Sequence, residues 1–282
     1  MSPYDTELKE FGERASNILF PVFRKRIPSM KKSLSSLDEI NYETAHDFWN
    51  ENYDPANAFF YICGDITDLE KHLEFLGNIP TRNHKSEPLE KEDEIELRQR
   101  IELKEKVRPD NVAVIQITYQ SPCFPHQISF KEDVGIWILS KYLSSTFGVL
   151  YKKLRDEHNL CYDLDVSFNR EIGKLMAFGF STSTQLSLVE KVESEWLKSV
   201  EYVAKEGISQ EHLDTFRNFE KIKTIRQKVD YDNVDALILL LDMGVSIEEV
   251  LQTLNELTIN DVKKASRIFV EKPYVISIAL PK

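Results

Sequence analysis

Glycine is scarce, with nine in 282 residues, and the nine are scattered. A phosphate-cradling loop needs several glycines in one short turn, so nucleotide binding of that kind is disfavoured. Cysteine is scarcer: Cys63, Cys123 and Cys161 are odd in number and far apart, which argues against a disulfide framework and for reduced, buried thiols. Positive charge is also short, 36 Lys and Arg against 47 Asp and Glu, for a formal net charge of -11. Affinity for a phosphate backbone comes from lysines and arginines displacing counterions, so no nucleic-acid partner is expected; a basic or neutral peptide fits such a surface better. No run approaches the roughly 20 apolar residues that span a bilayer. The opening MSPYDTELKEFGERASNILF carries charge throughout and lacks the basic end and apolar centre of a signal peptide. A cytoplasmic location with no membrane partner is the default expectation.

What is present suits a packed globular protein, with 41% of residues hydrophobic. Residues 4–20 show helical spacing through Leu8, Phe11, Ala15, Ile18 and Leu19. Ser36 followed by Glu39 resembles a capping box, although Asn41 ahead of Thr44 is the better helix start. Asp54-Pro55 then stops the helix, Ala58 to Cys63 reads as a short buried strand, and a helix follows around Leu69 to Leu76. Residues 79–94 are polar, charged and aperiodic, as a surface linker is. Glu92, Asp93, Glu94 and Glu96 are expected to be solvated there. Beyond it, strands are expected over 95–103 and 111–119, and an apolar helix over Asp133 to Leu143.

Residues 162–169 alternate strictly, placing Tyr162, Leu164, Val166 and Phe168 on one face and Asp163, Asp165, Ser167 and Asn169 on the other. Gly173 should turn this strand into a second one running through Phe180. Leu188, Val192, Trp196, Val200 and Val203 form a helical stripe, and further helices are expected over 209–227, 232–243, 247–254 and 260–270. YVISIAL closes the chain as a strand. Trp49, Trp137 and Trp196 read as core or half-buried anchors. Together these imply an α+β fold, a mixed or antiparallel sheet with helices packed on one face.

The segment from Leu37 and the segment from Leu254 resemble each other. Leu37 with Leu254, Glu39 with Glu256 and Ile40 with Leu257 share one offset, and Ala58 to Cys63 then falls on Val275 to Leu280 without a gap. Each segment runs as an N-capped helix, a proline-containing stop and a buried strand. The organisation expected is residues 1–78 as the C-terminal part of a first α+β repeat, 79–94 as linker and 95–282 as a complete second repeat. A lone strand with a few helices cannot pair its backbone or cover its apolar side, so the first part must pack on the second repeat, pack on another chain, or be poorly ordered.

Tyr53, Pro55, Asn57, Ala58, Gly64 and Asp65, with the run Leu154-Arg155-Asp156-Glu157-His158-Asn159-Leu160-Cys161-Tyr162, resemble the pitrilysin/insulinase family of zinc peptidases, the M16-like inverzincins. The family's catalytic half carries H-x-x-E-H on a helix and a distant glutamate. His84-x-x-Glu87 comes nearest here, but Pro88 stands where the second histidine is required. His46, His72, His126, His158 and His212 have no histidine at helical metal-ligand spacing. The chain is therefore similar to the non-zinc portion, with no cofactor of its own and zinc implied on a partner or missing segment.

By that resemblance, Arg155 and Tyr162 bind the substrate and transition state: a guanidinium is a permanent fork of donors, and a phenol can donate to an oxygen gaining negative charge. The implied function is a peptide-binding, non-catalytic subunit, inactive alone, that pairs with a zinc-bearing half to act on unfolded peptides. A structural scaffold without proteolytic role, or a truncated product of an ordinary zinc peptidase, are the alternatives. Taken without the resemblance, Arg155 is a helix-end surface residue and Tyr162 opens an ordinary strand.

Overall fold

The computed structural model describes residues 3–24, 30–53, 67–79, 95–169, 175–227, 240 and 243–282. The strand expected over 58–63, the turn expected at Gly173, all but Leu240 and Met243 of the helix expected over 232–243, the His84/Glu87 pair and all but Ile79 of the linker expected over 79–94 lie outside the described residues.

Eleven helices and five strands are labelled here in chain order among the described residues. Helices α1 (Pro3–Leu19), α2 (Pro21–Arg24), α3 (Met30–Ser36), α4 (Tyr42–Asn52) and α5 (Leu69–Gly77) come first. Strands β1 (Ile101–Arg108) and β2 (Ala113–Pro122) follow, then α6 (Phe130–Ser144) and the short α7 (Val149–Tyr151). Next are β3 (Asp165–Asn169), β4 (Leu175–Thr184), α8 (Val189–Glu206), α9 (Gln210–Gln227), α10 (Ile247–Glu256), α11 (Ile259–Arg267) and β5 (Tyr274–Pro281).

The strands form one mixed sheet in the order β1-β5-β2-β4-β3, with β1 parallel to β5 and the other pairs antiparallel. The fold class is thus α+β, as expected. Its main core lies on one face, where Ile115, Ile117, Tyr119, Phe178, Phe180, Ile276 and Ile278 meet α6, α8 and α11. Trp196 on α8 is fully buried there: it stacks on Phe180 with ring centroids 5.0 Å apart, and its indole N–H donates to the Tyr119 hydroxyl at 3.1 Å. The hydrogen bond matters because a buried phenol without a partner costs about 1–3 kcal/mol.

Helices on a single face are not what the structure shows. Phe11, Ala15 and Leu19 of α1 pack on the opposite face, against Val107, Val275 and Ala279. Strand alternation is the reason: Val275 and Ala279 point away from Ile276 and Ile278, and α1 supplies the apolar stripe that covers them. The strand YVISIALP is accordingly buried along nearly its whole length, as a run apolar at successive positions requires. Gln120 fastens the same junction. Its side-chain amide donates to the carbonyls of Leu19 and Ile95 and accepts from the Leu97 amide at 2.7 Å. Arg14 adds a two-bonded contact to Glu105. Helix α1 therefore packs on the sheet that follows it in the chain.

Helices α4 and α5 differ. Asn41 begins α4 with a reciprocal capping box to Thr44, and Ser36 makes no side-chain cap. No residue of α4 or α5 with a described side chain is buried, and Tyr42, Phe48, Leu73 and Phe75 are exposed. Trp49, expected in the core or half-buried, is 48% exposed, because α4 packs its apolar residues into no described core. Trp137 is half-buried.

Candidate functional site

The run from Phe147 to Asp163 sits between α6 and the hairpin of β3 and β4. Gly148 permits the chain to re-enter a helix here, since a Cβ at that position would lie 2.1 Å from the Tyr142 carbonyl oxygen. Helix α7 widens at once into a π-helical turn over Lys152–Glu157. The wider i→i+5 repeat turns Leu154 fully into the core and leaves Arg155 exposed beside it. Asn159, at φ 48°, reverses the chain, and the Leu160 amide donates back to the Leu154 carbonyl at 2.6 Å. Asn tolerates this left-handed backbone better than most side chains.

The next residues are fixed to β4. The Thr184 hydroxyl donates to the Leu160 carbonyl at 2.5 Å, and the Thr182 hydroxyl donates to the Asp163 carbonyl. The Asp163 carboxylate accepts from the Ser183 amide at 2.7 Å and from its hydroxyl at 3.3 Å. Leu160 and Cys161 are buried, and burial pushes the Cys161 thiol up from its ordinary pKa, against a hydrogen bond with Thr182. Between these anchors Tyr162 swings outward and is 84% exposed.

Arg155 and Tyr162 consequently meet. One guanidinium N–H of Arg155 donates to the Tyr162 carbonyl at 3.2 Å, and the guanidinium carbon lies 5.8 Å from the Tyr162 ring centroid and 5.5 Å from that of Tyr151. Both contacts fall within the range in which a cation is attracted to a ring face. The sequence reading of an alternating strand from Tyr162 is corrected here: β3 begins at Asp165, and Tyr162 faces solvent instead of sharing the side of Val166. Tethering of residues 160–163 to the end of β4 takes them out of the pleat that alternation assumes. Asp165 is exposed, as expected of a solvent-facing carboxylate, whereas Asp163 is tied to Ser183.

The sequence reading did not single out Tyr151, although its place four residues before Arg155 is the spacing at which helical side chains meet. The π turn left no comparable signal. Among the described residues no group of three or more His, Cys, Asp or Glu is arranged to hold a metal ion. His46 is engaged with Asn50 at 2.9 Å and stacks on Tyr42, and His212 lies between Tyr142 and Phe147. The described residues thus do not form a zinc cage.

Solved structures share this fold. The periplasmic protease PqqL from Escherichia coli aligns with a TM-score of 0.78 at 14% identity, over 99% of this chain and 31% of that one. A peptidase M16 inactive domain from Pseudomonas fluorescens aligns with a TM-score of 0.75 at 15% identity, over 99% of this chain and 67% of that one. A protease from Helicobacter pylori gives 0.71 at 17% identity, over 88% of this chain and 60% of that one. The chain thus spans less than two thirds of the length of the two proteases, 60% of one and 31% of the other. No curated protein matches it in sequence. The family model described as the peptidase M16 inactive domain matches residues 39–219, running across the region between α5 and β1 and through Arg155 and Tyr162, and on that match the chain belongs to the M16 peptidase family as an inactive domain.

Proposed function

We propose that this chain is the peptide-binding, non-catalytic half or subunit of an M16 zinc peptidase, lending Arg155 and Tyr162 to an active site whose zinc ligands lie on another chain or segment. The observation that carries the reading is the meeting of these two groups on one exposed surface, with the guanidinium aligned by the Tyr162 carbonyl and two rings. A guanidinium that spends one N–H on this carbonyl keeps further donors for the carbonyl of an incoming peptide, and the exposed phenol adds another. Both favour an oxygen that gains negative charge, which is the demand of peptide-bond attack. Metal activation of water would be the partner's contribution, and the working unit is a heterodimer. The organisation that goes with this reading is a second repeat from about residue 95, preceded by the end of a first. Its support is that α4 and α11, at corresponding places in the two similar segments, both open on a reciprocal capping box, at Asn41 and at Thr258.

Reconstitution tests the reading. Adding the chain to a zinc-bearing H-x-x-E-H half should raise cleavage of an unfolded fluorogenic peptide above that of the zinc half alone, and Tyr162→Phe should remove much of the gain. Stable association with no gain in cleavage would overturn the reading in favour of a scaffold.

A further inference from the structure

Helix α9 buries polar side chains and exposes apolar ones. Its inner side packs on α6 and α10 and carries Glu220 and Thr224, both buried, beside Leu213. Its outer side carries Phe219, Ile222 and Ile225, exposed at 63%, 53% and 53%. Residues at this spacing fall within about 120° around a helix axis, so the three form one stripe. The helix cannot roll to hide them: the Arg217 guanidinium donates to the Leu254 carbonyl at 2.7 Å and to the Asn255 carbonyl, which fixes the rotation of α9 against the end of α10. An exposed apolar stripe of this kind marks an interaction surface. Charge identifies what covers it. Glu211 and Asp214 lie near the start of α9, and Lys221, Lys223 and Arg226 near its end. A second α9 laid antiparallel on the stripe sets the acidic end of each helix on the basic end of the other, whereas a parallel one would set like on like. Helix α4 also exposes rings, at Phe48 and Trp49, but its charges are Glu43, Asp47 and Glu51 with no Lys or Arg, so two copies of α4 repel.

We infer that the outer side of α9 docks a second copy of this chain, as an antiparallel helix pair about a two-fold axis between Asn218 and Phe219. Two-fold symmetry makes every contact occur twice, so the exposed Glu211 and Arg226 of one copy meet Arg226 and Glu211 of the other, and the two Phe219 rings come together at the centre. The net charge of -11 on each copy opposes this only weakly at physiological salt, because charges more than about 8 Å apart are screened while the Glu211–Arg226 pairs are in contact. One helix a side hides less than about 1,000 Å² in total, so the dimer is weak, with Kd roughly 10–100 μM. The surface includes neither Arg155 nor Tyr162, so the inference stands or falls apart from the peptide-holding role.

Sedimentation velocity of the full chain, from about 1 to 500 μM, tests it. The average mass should rise from that of one copy toward that of two. Ile222→Asp, and the milder Ile222→Ser, should weaken association, the first by at least about tenfold. Arg226→Glu and Glu211→Arg should each weaken it by about tenfold, because each sets like charge on like charge twice. These two variants shift net charge in opposite directions, so bulk repulsion cannot weaken both. The double variant restores both pairs with reversed sign and should return Kd to within about fivefold of the parent. All the substituted side chains are exposed, and circular dichroism checks that every variant is folded. A monomer across the whole range, a dimer indifferent to Ile222→Asp, or a double variant no tighter than the single ones would each overturn the inference.

Discussion

Replacing Arg155 by alanine should remove far more activity than stability. In the folded chain Arg155 is exposed, donates one hydrogen bond at 3.2 Å to the Tyr162 carbonyl and lies 5.5 and 5.8 Å from two ring centroids. An ordinary hydrogen bond contributes about 0.5–1.5 kcal/mol net, and an exposed cation–ring contact about 0.5–1. The alanine variant regains rotamer freedom and the freed carbonyl finds water, so the net loss should be about 1–2 kcal/mol. For a domain of this size that is a fall in Tm of roughly 2–8 °C. If the guanidinium meets oxygen charge developing in the transition state, its loss should cost about 100- to 1,000-fold in rate, the scale of one oxyanion donor. The assay is kcat/KM of the reconstituted pair on an unfolded peptide, at a temperature where circular dichroism shows both proteins folded. Arg155→Lys should recover only part of the rate, since an ammonium keeps charge and loses the fork. A kcat/KM within about twofold of the parent, beside the small Tm shift, would refute the role assigned to Arg155.

Further outcomes follow from the core and the caps. Glu220 is 1% exposed with Oε2 unpartnered, and burial pushes its carboxyl up from the usual range, against Lys223 and Lys141. A carboxyl raised in the folded state destabilises once pH passes its unfolded value, so Glu220→Gln should raise Tm at pH 7 and lose that advantage near pH 4, as parallel melts would show. Trp196→Phe keeps a ring near Phe180 but strands the buried Tyr119 hydroxyl, and should cost about 1–3 kcal/mol in urea unfolding. Thr258→Ala should cost about 1 kcal/mol globally because α11 buries Val262, Ala265 and Ser266, whereas Asn41→Ala, on the exposed α4, should leave the global transition where it is. The carboxylates in the α6 and α11 caps point the other way from Glu220. Ser129 holds Glu132 below its usual range, and Asp261, raised by desolvation but lowered further by Thr258 and Lys131, ends below it too. Their contribution is present above the unfolded carboxylate range and should fade as pH falls through the lowered values, visible as falling Tm in acid melts.

The sequence by itself determined what local rules govern. Helical periodicity placed α1, α8 and the helices near the C-terminus close to their true bounds, and the Asn41 cap was legible because a side-chain oxygen two to three residues before the helix amides needs no tertiary partner. The apolar run of β5 announced a buried strand, though not what buries it. Packing decided that: α1 covers the second face because its Phe11, Ala15 and Leu19 meet the alternate residues of β5 across a long sequence separation. Trp49 shows the converse limit, since an aromatic residue on a helix is a core residue only if some other element arrives to cover it, and no pattern in the sequence states whether it does. At the site, the resemblance of the run from Leu154 to Tyr162 to a known family marked Arg155 and Tyr162, which spacing alone left as a helix-end surface residue and the start of an ordinary strand. Bringing them together took a π turn, a left-handed Asn159 and the clamp of residues 160–163 onto β4, each fixed by contacts between segments that periodicity cannot see.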